Sequence, residues 1–580
     1  MNIDQNDKSF QEQIVNWIIT QKYLLLTIII FAFIPIVGIQ LYFRHDDSAI
    51  LLWAQEFDKP FYYAFHTNLD INRFAGYDGM GGYYRPFTYL YLMFMQDIFG
   101  NAPFFFQLFG GLMMVGNVVI TFKIAEVLSS KKEAAFLAVS ILFALFYKIF
   151  YITYHIMTPF EYFLEMLCLY FGIAGIVKNN LKYLIIAFVL LFPATTRQTV
   201  PLIFFAMIFI YTIMHWKTVF PGKKTIKIVI LIFSFLPILS VFFSSMAVSG
   251  SILNVEFSLQ NYYAFLSERI EFYSSRFLTG AIGCIIFTIV LSYSGFVAFK
   301  KGMINLFGDQ KKYLLLVAIL SMITSVILAI FLKPVAPYFF MLILFILFFL
   351  NKSIQLPVIW FFVSAISFFA IEYYHWGYFF EAVLALVIIL GNFLYHVLKE
   401  INETYRVTTR LQKHSRKIIL STASTAIIIL AVLTGATGKI PIVSNNIQAA
   451  KILIDTNKNF SDIMEYMVEQ FPENARVYEL SSETLGLTMW QSRFLSMVER
   501  AENVKVMNIR DTRAMLKVLQ REDIMLSPAS EITEQKSNGA YFIALSILEM
   551  KKAREKYPLK LVKSLKRKYV EAAIYQLNYN

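Results

Sequence analysis

Lys22-Tyr23-Leu24-Leu25-Leu26-Thr27-Ile28-Ile29-Ile30-Phe31-Ala32-Phe33-Ile34-Pro35-Ile36-Val37-Gly38-Ile39-Gln40-Leu41-Tyr42-Phe43 is followed directly by Arg44-His45-Asp46-Asp47-Ser48. The first run is apolar for long enough to cross the hydrocarbon core of a bilayer as a helix. No small-residue cleavage site follows it, so it reads as an anchor rather than a removable signal peptide. An acidic pair at the lip of such a span is costly unless it has a task, and this pair points to chemistry at the membrane surface.

Composition extends that reading to the whole chain. Of 580 residues, 58% are hydrophobic, 17% aromatic and 16% charged, which departs far from a soluble globular average. Apolar runs fall near 22–43, 103–127, 134–154, 158–177, 181–194, 200–215, 226–248, 277–299, 313–332, 335–351, 354–373, 377–396 and 418–436, about thirteen spans. A net charge of +13 is explained by basic connectors at Lys131-Lys132, 178–182, 217–227, 300–312 and 399–417, which the positive-inside rule assigns to the cytoplasm. No basic stretch is interleaved with stacking aromatics, so nucleic acid is excluded as a partner. Cys168 and Cys284 both fall in apolar runs, which argues against a disulfide framework or a thiolate metal site.

With the basic connectors inside, the N-terminus is cytoplasmic and the polar oddities collect on the opposite face. That face receives 44–102, 250–276, the junctions at His155, Lys333 and His375, and the tail from 437 onward. Segment 44–102 carries apolar runs too short to span, Ile50-Leu51-Leu52-Trp53 and Phe87-Thr88-Tyr89-Leu90-Tyr91-Leu92 among them. They read as interfacial helices, with Pro86 suited to the first turn of the second. Runs 181–194 and 200–215 are short for spans, roughly 21–24 Å of helix against a core near 30 Å, which sinks Arg197 between them. The tail 437–580 loses span character, and strand-like pieces at Arg476–Leu480, 504–508 and 524–527 alternate with helical ones, which predicts a small α/β domain. Lys560 to Lys568 is a basic patch suited to contact with anionic lipid or polysaccharide, and a solvated helix face is the favoured account of it.

Three stretches together carry a resemblance: Asp46-Asp47 behind the first span, Tyr84-Arg85-Pro86-Phe87, and Asp97-Ile98-Phe99-Gly100-Asn101-Ala102-Pro103-Phe104-Phe105-Phe106 entering the second. They resemble the GT-C superfamily of polyprenyl-phosphate-sugar-dependent membrane glycosyltransferases, in its O-mannosyltransferase-like branch. Gln107 and Met114 stand where that branch usually carries histidines. The likeness covers residues 20 to 127 closely and the remaining spans by hydropathy and order. It implies an all-α polytopic membrane protein with interfacial helices in its first outer loop and a small C-terminal α/β soluble domain. The domains are then 1–436, glycosyltransferase-like, and 437–580, extracytoplasmic. It also implies a polyprenyl-phosphate sugar donor, a glycolipid, polysaccharide or protein acceptor, and inversion at the anomeric centre.

Moving a sugar from a lipid phosphate to a hydroxyl needs a base for the acceptor proton and cations for the departing phosphate. Asp46 and Asp47 are the base candidates; the alternative is that they cap the next interfacial helix with Ser48. They have the donors to share a divalent cation, although no His-Glu-x-x-His signature occurs. Arg85, Arg197 and Lys333 are the phosphate candidates, each with a snorkelling alternative at lipid headgroups. Tyr84, His155, Glu161, Tyr338 and His375 are candidates for substrate contact. Glu161 and Glu165 share a helix face at i, i+4, and a structural ion pair is the competing account. Glu372, His375 and Glu381 lie among aromatics that an ordinary interfacial belt also explains. A transporter or flippase of lipid-linked sugars is the alternative function.

Overall fold

The computed structural model describes residues 3–39, 51, 85–144, 156–194, 199–235, 352–369, 381, 384–392, 395, 441–480, 516, 519–545, 547–567 and 570–579. Its membrane-like part is built from α1 (Ile3–Phe31), α2 (Phe33–Gly38), α3 (Pro86–Phe99), α4 (Pro103–Ser129) and α5 (Lys132–Ala144), then α6 (Thr158–Val177), α7 (Leu181–Ala194), α8 (Thr199–Met214) and α9 (Lys352–Phe369). Residues 224–235 and 384–392 are also helical. Among the described residues three helices are long and apolar enough to cross a membrane: Trp17–Ile36 through α1 and α2, α4 and α6. The expected spans at 277–299, 313–332, 335–351 and 418–436 lie outside the described residues.

Hairpins organise the bundle. A left-handed Ser130 (φ 56°) turns α4 into α5, and Asn179 (φ 52°) lies in the turn that takes α6 into α7. α7 packs along α6, α4 against α6 and α5, α8 against α9, and α1 against α4 and α5. Small residues let backbones approach, as membrane helices require when lipid supplies no hydrophobic driving force between them. A Cβ built on Gly111 would lie 2.5 Å from the Pro35 Cα, and one on Gly391 would lie 2.5 Å from the Ala138 nitrogen. Inside the bundle, hydroxyls of Thr121 and Ser140 donate to carbonyls one turn back at 2.8 and 2.7 Å, which removes their need for water. The outer surface is apolar: Ile29, Val189, Phe192, Ile213 and Ile232 are all exposed. Large apolar side chains exposed on several helices suit lipid rather than water.

α1 differs from its expected bounds. It begins at Ile3, so the apolar part continues a helix of polar residues that hydropathy alone does not register. α3 starts at Pro86, as the first-turn preference of proline anticipates. It keeps Phe94 and Ile98 exposed while burying Thr88, Tyr89, Tyr91, Leu92 and Met95.

The C-terminal part consists of α10 (Pro441–Gln470), β1 (Arg476–Glu479), β2 (Met525–Pro528), a 3-10 turn at Ala529–Glu531, α11 (Glu534–Ser537), β3 (Tyr541–Ala544), α12 (Ile547–Lys556), β4 (Leu559–Lys566) and β5 (Glu571–Leu577). The strands form one mixed sheet in the order β2-β1-β3-β5-β4. β1 pairs in parallel with β2 and β3, whereas β5 is antiparallel to β3 and β4. Alternate residues serve opposite faces: Val477, Ile543 and Ile574 join a cluster with α10, and Tyr478, Phe542 and Tyr575 join one with α12. Burial on both faces explains why the central strands read as continuous apolar runs.

Residues 559–566, expected as a basic helix face, are instead the edge strand β4. Among the described strands β4 pairs with β5 alone; Lys560 and Lys566 are exposed there, and lysines on a sheet edge discourage pairing with a second chain. Arg521 fastens the end of α10: it donates to the carbonyls of Met467 (3.2 Å) and Phe471 (3.0 Å), and to that of Val468. A cation is favoured at that pole of a helix.

The two parts share a core. Leu51, Tyr89, Leu92, Met95, Phe106 and Ile156 belong to the same buried cluster as Phe460, Met464, Met467 and Val477.

Candidate functional site

Arg85 occupies the residue before α3, and its carbonyl accepts the Tyr89 amide at 3.1 Å. Pro86, next in line, has no N–H to leave unsatisfied. A guanidinium here sits at the positive pole of α3, where a cation is disfavoured. It is also buried, with 8% of its surface exposed. Two penalties therefore act on the same group, and an anion must offset them.

Glu161 supplies it. This carboxylate lies in the first turn of α6, at a helix pole that favours negative charge, and is 1% exposed. Arg85 Nη1 donates to both of its oxygens, at 2.8 Å to Oε1 and 3.0 Å to Oε2. Thr88, in the first turn of α3, donates its hydroxyl to Oε1 at 2.7 Å. Met157 adds its sulfur 3.8 Å from Nη1. Charge-assisted bonds of this kind are short and roughly twice as strong as neutral ones.

Aromatic rings hold the surrounding helices in register. Tyr91 of α3 stacks on Phe160 of α6 with centroids 4.4 Å apart and planes 7° from parallel. Phe87 meets Phe192 of α7 edge to face at 5.2 Å. α3 is thus clamped across the start of α6 and the end of α7, with the ion pair between them. Glu165, one turn beyond Glu161, is fully buried as well.

Of the residues singled out from sequence, Arg85 and Glu161 are described, and the fold brings them into direct contact. Asp46, Asp47, Tyr84, His155, Arg197, Lys333, Tyr338 and His375 lie outside the described residues. Glu381 is buried, while Glu372 also falls outside. Thr88 and Met157 did not stand out from sequence. The signal for Thr88 was a single aliphatic hydroxyl within Phe87-Thr88-Tyr89-Leu90, three positions after an arginine. Cys168 is a buried free thiol, 3.5 Å from the Ala187 carbonyl. Among the described residues no group of three or more His, Cys, Asp or Glu side chains is placed to hold a metal ion.

No protein-family model matches this chain, and no curated protein sequence matches it. Two crystal structures of ArnT from Cupriavidus metallidurans align with it over 97% of this chain and 98% of theirs, both at 11% identity. The one bound to undecaprenyl phosphate gives a TM-score of 0.41, and the one in the apo state gives 0.42.

Proposed function

We propose that this chain is a multi-pass membrane glycosyltransferase of the GT-C type, which transfers a sugar from a polyprenyl-phosphate donor to an acceptor hydroxyl outside the cytoplasm. The observation that carries the reading is the buried Arg85–Glu161–Thr88 constellation. It maintains a charged guanidinium among apolar helices, inside the Tyr84-Arg85-Pro86-Phe87 run on which the resemblance rests. Arginine is suited to phosphate oxygens because its planar fork matches them two at a time.

The division of labour follows from the chemistry. Asp46 takes the proton from the acceptor hydroxyl as that oxygen attacks the anomeric carbon, with Asp47 beside it to hold the acceptor or a divalent cation. The bond from the anomeric carbon to the phosphate oxygen breaks, and the electron pair leaves with the lipid phosphate. Arg85, assisted by Arg197 and Lys333, neutralises that phosphate. Attack from the face opposite the leaving group inverts the anomeric centre. Glu161 acts through Arg85 by holding it, in place of touching sugar, while Tyr84, His155, Tyr338 and His375 line the substrate path.

The orientation that goes with this reading has the N-terminus in the cytoplasm. The site and the C-terminal segment 437–580 then lie outside, in the plasma membrane of the cell. The sheet-bearing segment orients the acceptor, which is a glycolipid, a polysaccharide or a protein.

The test is transfer of radiolabelled sugar from synthetic polyprenyl-phosphate sugars by the protein in proteoliposomes, with Asp46→Asn, Asp47→Asn and Arg85→Ala as variants. Transfer by wild type and its loss in a folded Asp46→Asn variant that still binds donor supports the reading. Wild-type protein that consumes no donor yet moves the intact lipid across the bilayer overturns it in favour of a flippase.

A further inference from the structure

The end of the bundle opposite Arg85 carries a second charged feature. Two turns meet there, the one between α6 and α7 and the one at residues 215–223 after α8. Asn179 ties them: its Oδ1 accepts the Phe220 amide at 2.6 Å and its Nδ2 donates to the Thr218 carbonyl at 3.3 Å. His215 Nε2 lies 2.5 Å from Gln355 Oε1 of α9, which anchors the second turn from the other side. Lys227, buried, donates to the Trp216 carbonyl and lies 4.8 Å above the Trp216 ring. Val219 and Phe220 are buried beneath. The loop is therefore a fixed surface, and its geometry is specified by Asn179 of the facing turn together with Gln355 of α9 and Lys227 of the helix at 224–235.

On that surface Lys178, Lys182, Lys217, Lys223 and Lys224 are all exposed. Neither 178–182 nor 215–227 contains an aspartate or glutamate, and among the described residues no carboxylate pairs with any of the five. The neighbouring α4–α5 hairpin at the same end differs: Lys123 in α4 and Lys132 at the start of α5 share Glu126 of α4, at 2.9 and 3.9 Å. A topology signal needs only positive charge in a loop. It does not need the loop to be tied down by an asparagine bridge and a buried lysine. Concentrated cation without counter-charge, on a rigid turn at the end of a membrane helix, is what an anionic headgroup at that depth would complete.

We infer that the turns 178–182 and 215–224 form a binding surface for the phosphate of an anionic glycerophospholipid in the adjoining leaflet, with Trp216 against its glycerol region. The inference rests on the membrane placement proposed above and not on the transferase chemistry, so either can fail alone.

The full-length protein in nanodiscs of phosphatidylcholine doped with phosphatidylglycerol, analysed by native mass spectrometry for retained lipid, tests it. Wild type should retain phosphatidylglycerol in preference to phosphatidylcholine. Neutralising Lys178, Lys217 and Lys223 to glutamine should weaken that preference by roughly fivefold for each lysine removed, the scale set by a basic residue near an anionic surface. Asn179→Ala keeps every charge but releases the two turns, and should lose part of the preference too. Lys131→Gln with Lys132→Gln, in the turn that has its own carboxylate, should leave it intact. Equal retention of the two lipids by wild type, or equal loss in both lysine variants, overturns the inference. So does a preference abolished by inorganic phosphate at millimolar concentration, since the surface would then be a site for free anions.

Discussion

The two ends of the helical bundle treat positive charge in opposite ways. At one end a single arginine is withdrawn from solvent and oriented by a carboxylate with which it shares two hydrogen bonds, between helices joined by the stacked Tyr91 and Phe160 rings. At the other, five lysines stand exposed, with no partner carboxylate among the described residues, on turns tied together by Asn179. A buried charge is costly, so its persistence points to a specific role that fixes its geometry. An exposed charge costs little, and its role is collective, set by how many neighbours share its sign. The difference teaches which cations to remove when asking about chemistry and which when asking about the membrane.

The largest effect should come from breaking the buried pair on one side only. Glu161→Ala leaves Arg85 buried and uncompensated, and should lower stability by about 3–5 kcal/mol, read from denaturation in detergent micelles. The double change Arg85→Met with Glu161→Met should recover most of that loss, because apolar replacements of similar volume are often neutral where a half-removed pair is not. Its sugar transfer should stay absent, which separates the structural duty of the pair from the functional one.

Thr88→Val comes next. It removes one hydrogen bond to a charged acceptor and should cost about 1.5–3 kcal/mol by the same assay.

The C-terminal part offers an intermediate case. The Asp523 carboxylate is held below its ordinary 3.8, first by its hydrogen bond with Arg521, which outweighs an opposing effect of burial, and then by the Asn474 amide and the Arg521 charge. A depressed folded value means that the contribution is complete above 3.8 and fades as pH falls through the lower value. Melting curves of wild type and Asp523→Asn should therefore differ at neutral pH and converge in acid. Divergence that grows in acid would contradict the assignment.

The smallest change belongs to the exposed end. Lys178→Gln alone should shift stability by no more than about 0.5 kcal/mol, as surface substitutions generally do. A large loss there would break the contrast between the ends.

Much of the fold was legible because membrane helices announce themselves by length and apolarity. α4, α6, α7 and α8 fall where the apolar runs placed them, since each run is bounded by a proline, a basic turn or both. The polar first half of α1 was not legible, because Asp4 to Gln13 carry no hydropathy signal and become helical only as an extension of the apolar part. β4 was misread for a related reason. Its lysines alternate irregularly across a bulge between Leu561 and Lys563, which blurs the period of two that marks a strand. β3 and β5 are so evenly apolar, with both faces covered, that alternation vanishes from them altogether.

The site was legible as a list and not as an arrangement. Arg85 stood out through its neighbours and Glu161 through its position in an apolar run, but nothing local links residues 76 positions apart. Their pairing is produced by α3 crossing the start of α6, a tertiary event fixed by the Tyr91–Phe160 and Phe87–Phe192 contacts. The shared cluster that joins Tyr89 and Met95 to Met464 and Met467 was equally out of reach. A boundary drawn at 436 by hydropathy marks where span character stops, and buried side chains cross it all the same.

The most direct test of the central claim, that the buried cation serves a lipid phosphate, is the binding of polyprenyl phosphate to the purified protein in nanodiscs, compared among wild type, Arg85→Ala and Lys178→Gln. The account predicts saturable binding by wild type, unchanged binding by Lys178→Gln, and loss of at least tenfold in affinity for Arg85→Ala, about 1.4 kcal/mol or more. Equal affinity in a folded Arg85→Ala variant and wild type would contradict it.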